Sequence, residues 1–365
     1  MELNLTQRAR LALFFLSYLL FILFVGLRWE TGNDWTEYYV YYTHLTSLRD
    51  NPSNNTFEIG YRFFNLVIKN IGLPYAGFLL IYSSTYLGLM FVSFRRENYT
   101  IAGWLVLQLF APFILGLMGT ARQVMAIAIC MFSVRYLLSR DWRKFLMCVA
   151  VATTFHVSAL AFVAAWPIAR FRLSLRRLAI LLVAVTASSL LHLGSLIMQY
   201  SQEIVGKLNN PALLAKLALE QESSSTQFHN AAGDLSVWYT VVRLCTLLFF
   251  VLSYRFFTEE SDQLYFKLYI AGFCMLFLLS GAVFVLAERS ALYFTIFQMH
   301  LLALPTRRLR RPILRRFYCV ALIALSLTRL YTGIYLVLPR IFVPYKGVLI
   351  NRDVKRDLGW FRNGL

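Results

Sequence analysis

Cysteine is scarce in this chain, and its placement carries no chemistry. The five cysteines (Cys130, Cys148, Cys245, Cys274 and Cys319) each fall inside an apolar run, and none is spaced as CxxC. That pattern gives neither a disulfide framework nor a zinc site, and reads as small buried hydrophobes. P-loop, HExxH, a GxGxxG behind a strand and paired metal-ligand spacing are all missing, so ATP-driven transport and zinc chemistry find no support. Acidic residues are few: 18 Asp and Glu stand against 36 Lys and Arg, a net charge of +18. A soluble polybasic protein would point to nucleic acid, but much of this charge sits in short loops between apolar spans. There is no repeat at solenoid periods, and none of the alternating segments of about ten residues that a β-barrel needs.

What is present is apolar. The 365 residues are 59% hydrophobic with a mean hydropathy of +0.59, whereas soluble domains run at about 45–50% apolar. The composition leaves an all-α, polytopic integral membrane protein, and excludes a soluble enzyme, a nucleic-acid reader and a disulfide-built secreted domain. Arg8 and Arg10 flank the first apolar run as in a signal peptide, but no A-x-A-like site follows, so it reads as a retained span. About eleven spans are expected, near 11–27, 73–93, 101–118, 120–138, 144–155, 157–169, 178–197, 236–254, 264–286, 290–304 and 317–335.

Charge decides the disputed point, which is whether 144–169 is one span or two. With a cytoplasmic N-terminus and two short spans there, eighteen basic residues fall in short inside loops, the Arg170–Arg177 cluster among them. One merged span would put that cluster and all later loops on the wrong side. The two short helices are therefore expected to meet near Phe155-His156, with His156 in a recess. The outer side then holds loops 28–72 and 198–235 and a tail from Leu336. Within 198–235, Ser223–Gln227 reads as mobile, and Asn209–Glu220 as a short helix on the membrane. Residues 1–365 read as a single integral membrane domain.

Ionisable groups at membrane depth are costly, so each is a candidate for function. After the first span, Arg28, Trp29, Glu30, Asp34, Trp35, Glu37 and several tyrosines crowd one segment. Aromatic faces with carboxylates bind sugars and arginine forks bind phosphates. The plain alternative is an interfacial aromatic belt with Asp34 and Glu37 capping a surface helix. Glu58 and Arg62 fit a solvated helical pair. At Gly119-Thr120-Ala121-Arg122-Gln123, Thr120 and Gln123 match a T-x-x-Q capping box that would start the fourth span. Arg122 in that first turn opposes the helix dipole, a conflict that a bridging anion would resolve; snorkelling to water is the alternative. His156 in a polar-lined recess suits a base or hydrogen-bond donor, against a purely structural histidine. Glu288-Arg289 forms another charge pair at helix-entry depth, and Pro344-Tyr345-Lys346 marks the tail.

Taken in order, these pieces are similar to a known family. Arg28 with Gly32-Asn33-Asp34-Trp35 and Tyr38/Tyr39, Glu58-Ile59-Gly60-Tyr61, Arg122-Gln123 with Ala126 and Ala128, Phe155-His156-Val157-Ser158-Ala159, Arg289 with Tyr293-Phe294, and Pro344-Tyr345 together resemble the EpsG-like family. These are bacterial polysaccharide (O-antigen and exopolysaccharide) polymerases of the Wzy type. The resemblance runs from about residue 26 to the tail and lies in order and spacing. Asn33 departs from it, since the family more often has Thr there. The resemblance implies an enzyme of the bacterial inner membrane with its site facing the periplasm. It would move a growing glycan from undecaprenyl diphosphate onto the non-reducing end of another lipid-linked repeat unit. No cofactor, metal or nucleotide sugar is implied; the partners are lipid-linked repeat units, the bilayer, a chain-length regulator and a flippase, with no nucleic acid.

On that basis Arg122, Gln123 and Arg289, with Arg28 secondary, are expected to hold the diphosphate. His156 and Asp34, with Glu58 behind them, are the candidates for the base, and Trp35, Tyr38, Tyr39, Tyr61 and Tyr345 for glycan contact. The competing readings are a glycosyltransferase using a polyprenyl-phosphate sugar, an O-antigen ligase, and a lipid-linked glycan flippase or transporter. A transporter should show mid-membrane charge and inverted repeats. Here only Arg135, Arg243, Lys267 and Arg329 are cations within spans, three of them near span ends, which favours an enzyme.

Overall fold

The computed structural model describes residues 6–32, 34–49, 57–95, 103, 118–191, 199–200, 203, 233–279, 284–337 and 339–353. In chain order the helices are α1 (Gln7–Gly26), α2 (Trp35–His44), α3 (Ile59–Asn70), α4 (Tyr75–Arg95), α5 (Ala121–Leu138), α6 (Trp142–Phe155), α7 (Ala165–Arg170), α8 (Leu175–Leu190), α9 (Gly233–Leu252), α10 (Glu260–Leu279), α11 (Phe284–Thr295), α12 (Gln298–Ala303), α13 (Pro305–Arg308), α14 (Pro312–Tyr331) and α15 (Pro339–Phe342). A 3-10 segment, Val157–Ala164, precedes α7, and α14 runs on as a π-helix. Among the described residues the only β pairing is an isolated bridge, so the fold is all-α.

Helices cover the expected spans except 101–118, almost all of which lies outside the described residues, as do Asn209–Glu220 and Ser223–Gln227. Among the described residues four are long and apolar enough to cross a membrane: α1, α4, α5 and the stretch Pro312–Tyr335 that begins with α14. Val157–Arg170 and Val241–Leu252 are shorter apolar segments. α6 ends at Phe155 and helical structure resumes at Val157, so the break falls at His156, where the arginine distribution placed it.

Two compact units make up the chain. The first comprises Met1–Tyr136, Arg143–Leu160 and Leu302–Leu365; the second, Leu137–Trp142 and Ala161–Leu301. In the first, α1 packs on α4. Lipid tails are as apolar as leucine, so such helices associate through close packing and hydrogen bonds. Tyr18 donates to the Ser84 carbonyl (2.9 Å), and the Phe14 and Tyr18 rings meet Phe91 at 5.1 and 4.8 Å. α2, α3 and α4 share an aromatic core in which Tyr38, Tyr41, Phe57, Tyr61, Phe78 and Tyr82 pack mostly edge-on or tilted. Lys69 closes the end of α2, donating to the Thr43 and Leu45 carbonyls at 2.7 Å each, a favourable place for a cation at a helix C-terminus.

The tail folds back onto the start of the first loop. Arg28 and Gly347 form the isolated bridge, Trp29 N–H donates to the Lys346 carbonyl (2.8 Å), and Val348 N–H to that of Leu27 (2.8 Å). Lys346, itself buried, pairs with Glu30. In the second unit, α10 packs along α8 and α11. Lys267 donates to the Ala169 carbonyl (3.0 Å), and His300 stacks on Tyr265 at 4.4 Å, buried, as a structural histidine.

One contact positions the candidate site. α3 passes so close to the end of α6 that a Cβ on Gly60 would run into Thr154 Oγ1 and lie 2.8 Å from its carbonyl oxygen. The hydroxyl can turn away, but the backbone carbonyl cannot. Gly60→Ala should therefore push α3 off α6 and cost about 1–3 kcal/mol. A melting temperature several degrees lower in detergent is the expected result, and an unchanged one would show that the helices separate freely.

Candidate functional site

The N-terminal end of α5 gathers side chains from three other segments of the first unit. Thr120 stands just before the helix and its carbonyl accepts Val124 N–H (3.0 Å), so α5 starts where the T-x-x-Q pattern put it. Arg122, one residue into that turn, is half-buried. Its Nη1 donates to Glu58 Oε2 at 2.6 Å, its Nε donates to the Tyr38 hydroxyl at 3.3 Å, and the guanidinium carbon lies 4.6 Å from the Phe57 ring centre. Among the described residues no acceptor meets Nη2. A guanidinium is a rigid fork of five N–H donors. Two of its nitrogens are anchored here, and the third keeps an N–H pair suited to an oxyanion.

Glu58 occupies the cap position of α3 but makes no side-chain cap bond there. Its carboxylate is shared instead. Oε2 takes Arg122, and Oε1 accepts the backbone N–H of Val157 at 3.4 Å. That N–H opens the 3-10 segment, where the first N–H groups of a helix lack an intrahelical acceptor. Glu58 thus ties Arg122 to the residue beside His156. The half-buried His156 has Nδ1 2.6 Å from Ser158 Oγ.

Asp34 likewise sits in the cap position of α2 without a cap bond. Asp34 Oδ2 accepts the Tyr38 hydroxyl at 3.1 Å. Tyr38 is 2% exposed. Burial first, and then the Asp34 charge, hold its phenol far above the usual tyrosine range, so at neutral pH it remains a donor. The result is one chain of contacts, Asp34–Tyr38–Arg122–Glu58–Val157, drawn from four segments.

The other expected residues lie as follows. Gln123 is buried beside Arg122. Trp35 and Tyr61 are buried in the aromatic core, and burial raises the Tyr61 phenol well above its ordinary value. Tyr39 is half-buried and stacks on Trp35 at 5.0 Å; Tyr345 is half-buried, stacks on Phe24 at 4.7 Å and donates to its carbonyl. Arg28 is 2% exposed and turns back to the end of α1, where Nη1 donates to the Val25 carbonyl at 2.8 Å. The carbonyl end of a helix welcomes that charge.

Arg289 belongs to the second unit, exposed on α11. Its neighbour Glu288 accepts from Arg243 Nη2 at 2.7 Å. Sequence reading took Arg243 only as a cation within a span and missed this pair, which no local spacing announces. Among the described residues no three His, Cys, Asp or Glu side chains are grouped to hold a metal ion.

Spanning helices with an arginine–carboxylate cluster at the head of one of them define an all-α membrane protein with a polar site at a helix end. The chain belongs to the EpsG family, which matches residues 11–346 and comprises polysaccharide polymerase-like membrane proteins. No curated protein and no solved structure matches the chain.

Proposed function

We propose that this protein is a Wzy-type polysaccharide polymerase of the bacterial inner membrane. It transfers a growing glycan from undecaprenyl diphosphate onto the non-reducing end of another lipid-linked repeat unit at the periplasmic face. Family membership supports the class of reaction. The observation that carries the chemistry is Arg122, clamped through Nε and Nη1 with Nη2 left to an anion.

The bond that breaks joins the anomeric carbon to the diphosphate oxygen, and negative charge grows on that oxygen as it leaves. Donors fixed in advance at that point supply the electrostatic stabilisation that usually dominates catalysis. Arg122 fills this role at the N-terminus of α5, whose dipole adds to it, with Gln123 beside it. The acceptor hydroxyl forms the new bond to the anomeric carbon and gives its proton to His156, the ring that Ser158 orients. Asp34 and Glu58 already accept hydrogen bonds from Tyr38, Arg122 and Val157, which suits them to hold the cluster in place. Tyr39 and Tyr345, being half-buried rather than buried, are the aromatic residues retained for glycan contact.

The test uses purified protein and lipid-linked repeat units in detergent or vesicles, without nucleotide or metal. A ladder of lengthening products is expected from the wild type. His156→Ala should lower its rate about 10²–10⁴-fold while Arg122-dependent binding of substrate persists. Repeat units left unextended by the wild type would end the proposal, and their movement across the vesicle membrane would replace it with a flippase.

A further inference from the structure

We infer that Tyr38 is a positioning residue for this transfer: its hydroxyl fixes the roll of the Arg122 guanidinium, so that Nη2 stays turned towards the anion. The inference rests on the polymerase reading and adds a device to it. Glu58 alone holds Arg122 through one nitrogen, and one hydrogen bond is a pivot about which a planar group still turns. A second bond at Nε, 3.3 Å from the Tyr38 oxygen, turns that pivot into a fixed edge, with the Phe57 ring 4.6 Å from the guanidinium carbon.

The hydroxyl is itself aligned. It has one proton and two lone pairs. Giving the proton to Asp34 Oδ2 at 3.1 Å leaves only lone pairs to face Arg122. Asp34 therefore acts on the guanidinium without touching it, through the direction it imposes on the phenol. The ring packs against Phe57 and Tyr61, with centroids 5.6 and 5.3 Å away. At 2% exposure it offers no face to a sugar, and removing the hydroxyl alone leaves this packing intact.

Tyr38→Phe tests the idea in the full-length protein, with inorganic pyrophosphate as the binding probe and ladder formation as the kinetic one. Tyr38→Phe should keep the wild-type melting temperature within a few degrees. It should weaken pyrophosphate binding and lower kcat, each about tenfold, the usual scale for one hydrogen bond to a charged group, with KM for the acceptor repeat unit little changed. In an Arg122→Lys background the same substitution should change neither quantity, because lysine has no Nε–H for the phenol to hold. That loss of coupling is what ring packing alone would not produce.

Equal pyrophosphate affinity in wild type and Tyr38→Phe, or the same loss in the Arg122→Lys background, overturns the inference even if ladders form normally. A wild-type protein that binds pyrophosphate through Arg122 and Tyr38 yet builds no ladder overturns the polymerase reading instead, and leaves the positioning role standing.

Discussion

Arg122→Ala is expected to collapse long-chain glycan to single repeat units, with protein level and membrane insertion unchanged. Removing one preorganised donor from a developing oxyanion costs about 10²–10³ in rate, and here the donor also brings the counter-charge. Alanine leaves Glu58 with only the Val157 N–H and the Tyr38 hydroxyl with only Asp34. With side-chain exposures of 21% for Arg122 and 19% for Glu58, the pair is neither a solvated surface bridge nor a dry one. A modest fall in melting temperature should therefore accompany the loss of activity. Arg122→Lys separates charge from geometry. A lysine ammonium is a point charge on a flexible stem and cannot bond Glu58 and Tyr38 in one plane while offering a further N–H pair outward. It should recover stability and little of the ladder. Gel profiles of extracted glycan, read beside the amount of inserted protein, decide the matter; full-length ladders from Arg122→Ala would remove this residue from the chemistry.

Properties written locally in the chain were legible in the sequence. Apolar runs located most of the helices, since a segment crossing lipid must satisfy its backbone within itself. Charge parity across the loops pointed to a break near Phe155-His156, and the T-x-x-Q pattern marked the start of α5, which begins at Ala121. Pairing between distant segments was not legible. Glu58 and Arg122 are 64 residues apart, Arg243 and Glu288 are 45, and Thr31 meets Lys346 over 315. Helices that are apolar on every side carry no polar stripe to announce which face meets which neighbour. Side-chain direction was equally hidden. The resemblance proposed Trp35, Tyr38 and Tyr61 for glycan contact, and no local pattern told that they are buried in the core of α2, α3 and α4. Asp34 fits a helix cap by position, and only the contact with Tyr38 shows the carboxylate spent elsewhere.

Glu58 offers the other large effect, and it discriminates between two roles. Its carboxylate bridges the Arg122 guanidinium and the N–H at the His156 break, so on the proposed reading it would join the anion-holding side of the site to the proton-accepting side. Glu58→Ala should lower polymerisation nearly as far as Arg122→Ala. It leaves a half-buried guanidinium without its counter-ion and a backbone N–H without its acceptor, and either defect displaces groups that must be held to within about 0.5 Å. The double variant Glu58→Ala/Arg122→Ala should be no worse than Arg122→Ala alone, since residues of one network do not add. Glu58→Gln is the informative change. If Glu58 positions, glutamine keeps an acceptor oxygen and part of the activity, and the fall of kcat on the acid side of its pH profile stays where His156 sets it. If Glu58 were the proton acceptor, glutamine would be as inactive as alanine, and that acid limb would disappear from any residual rate. We expect the first pattern, with Glu58→Gln falling between wild type and Glu58→Ala; a pH-independent residue of activity in Glu58→Gln would move the base from His156 to Glu58.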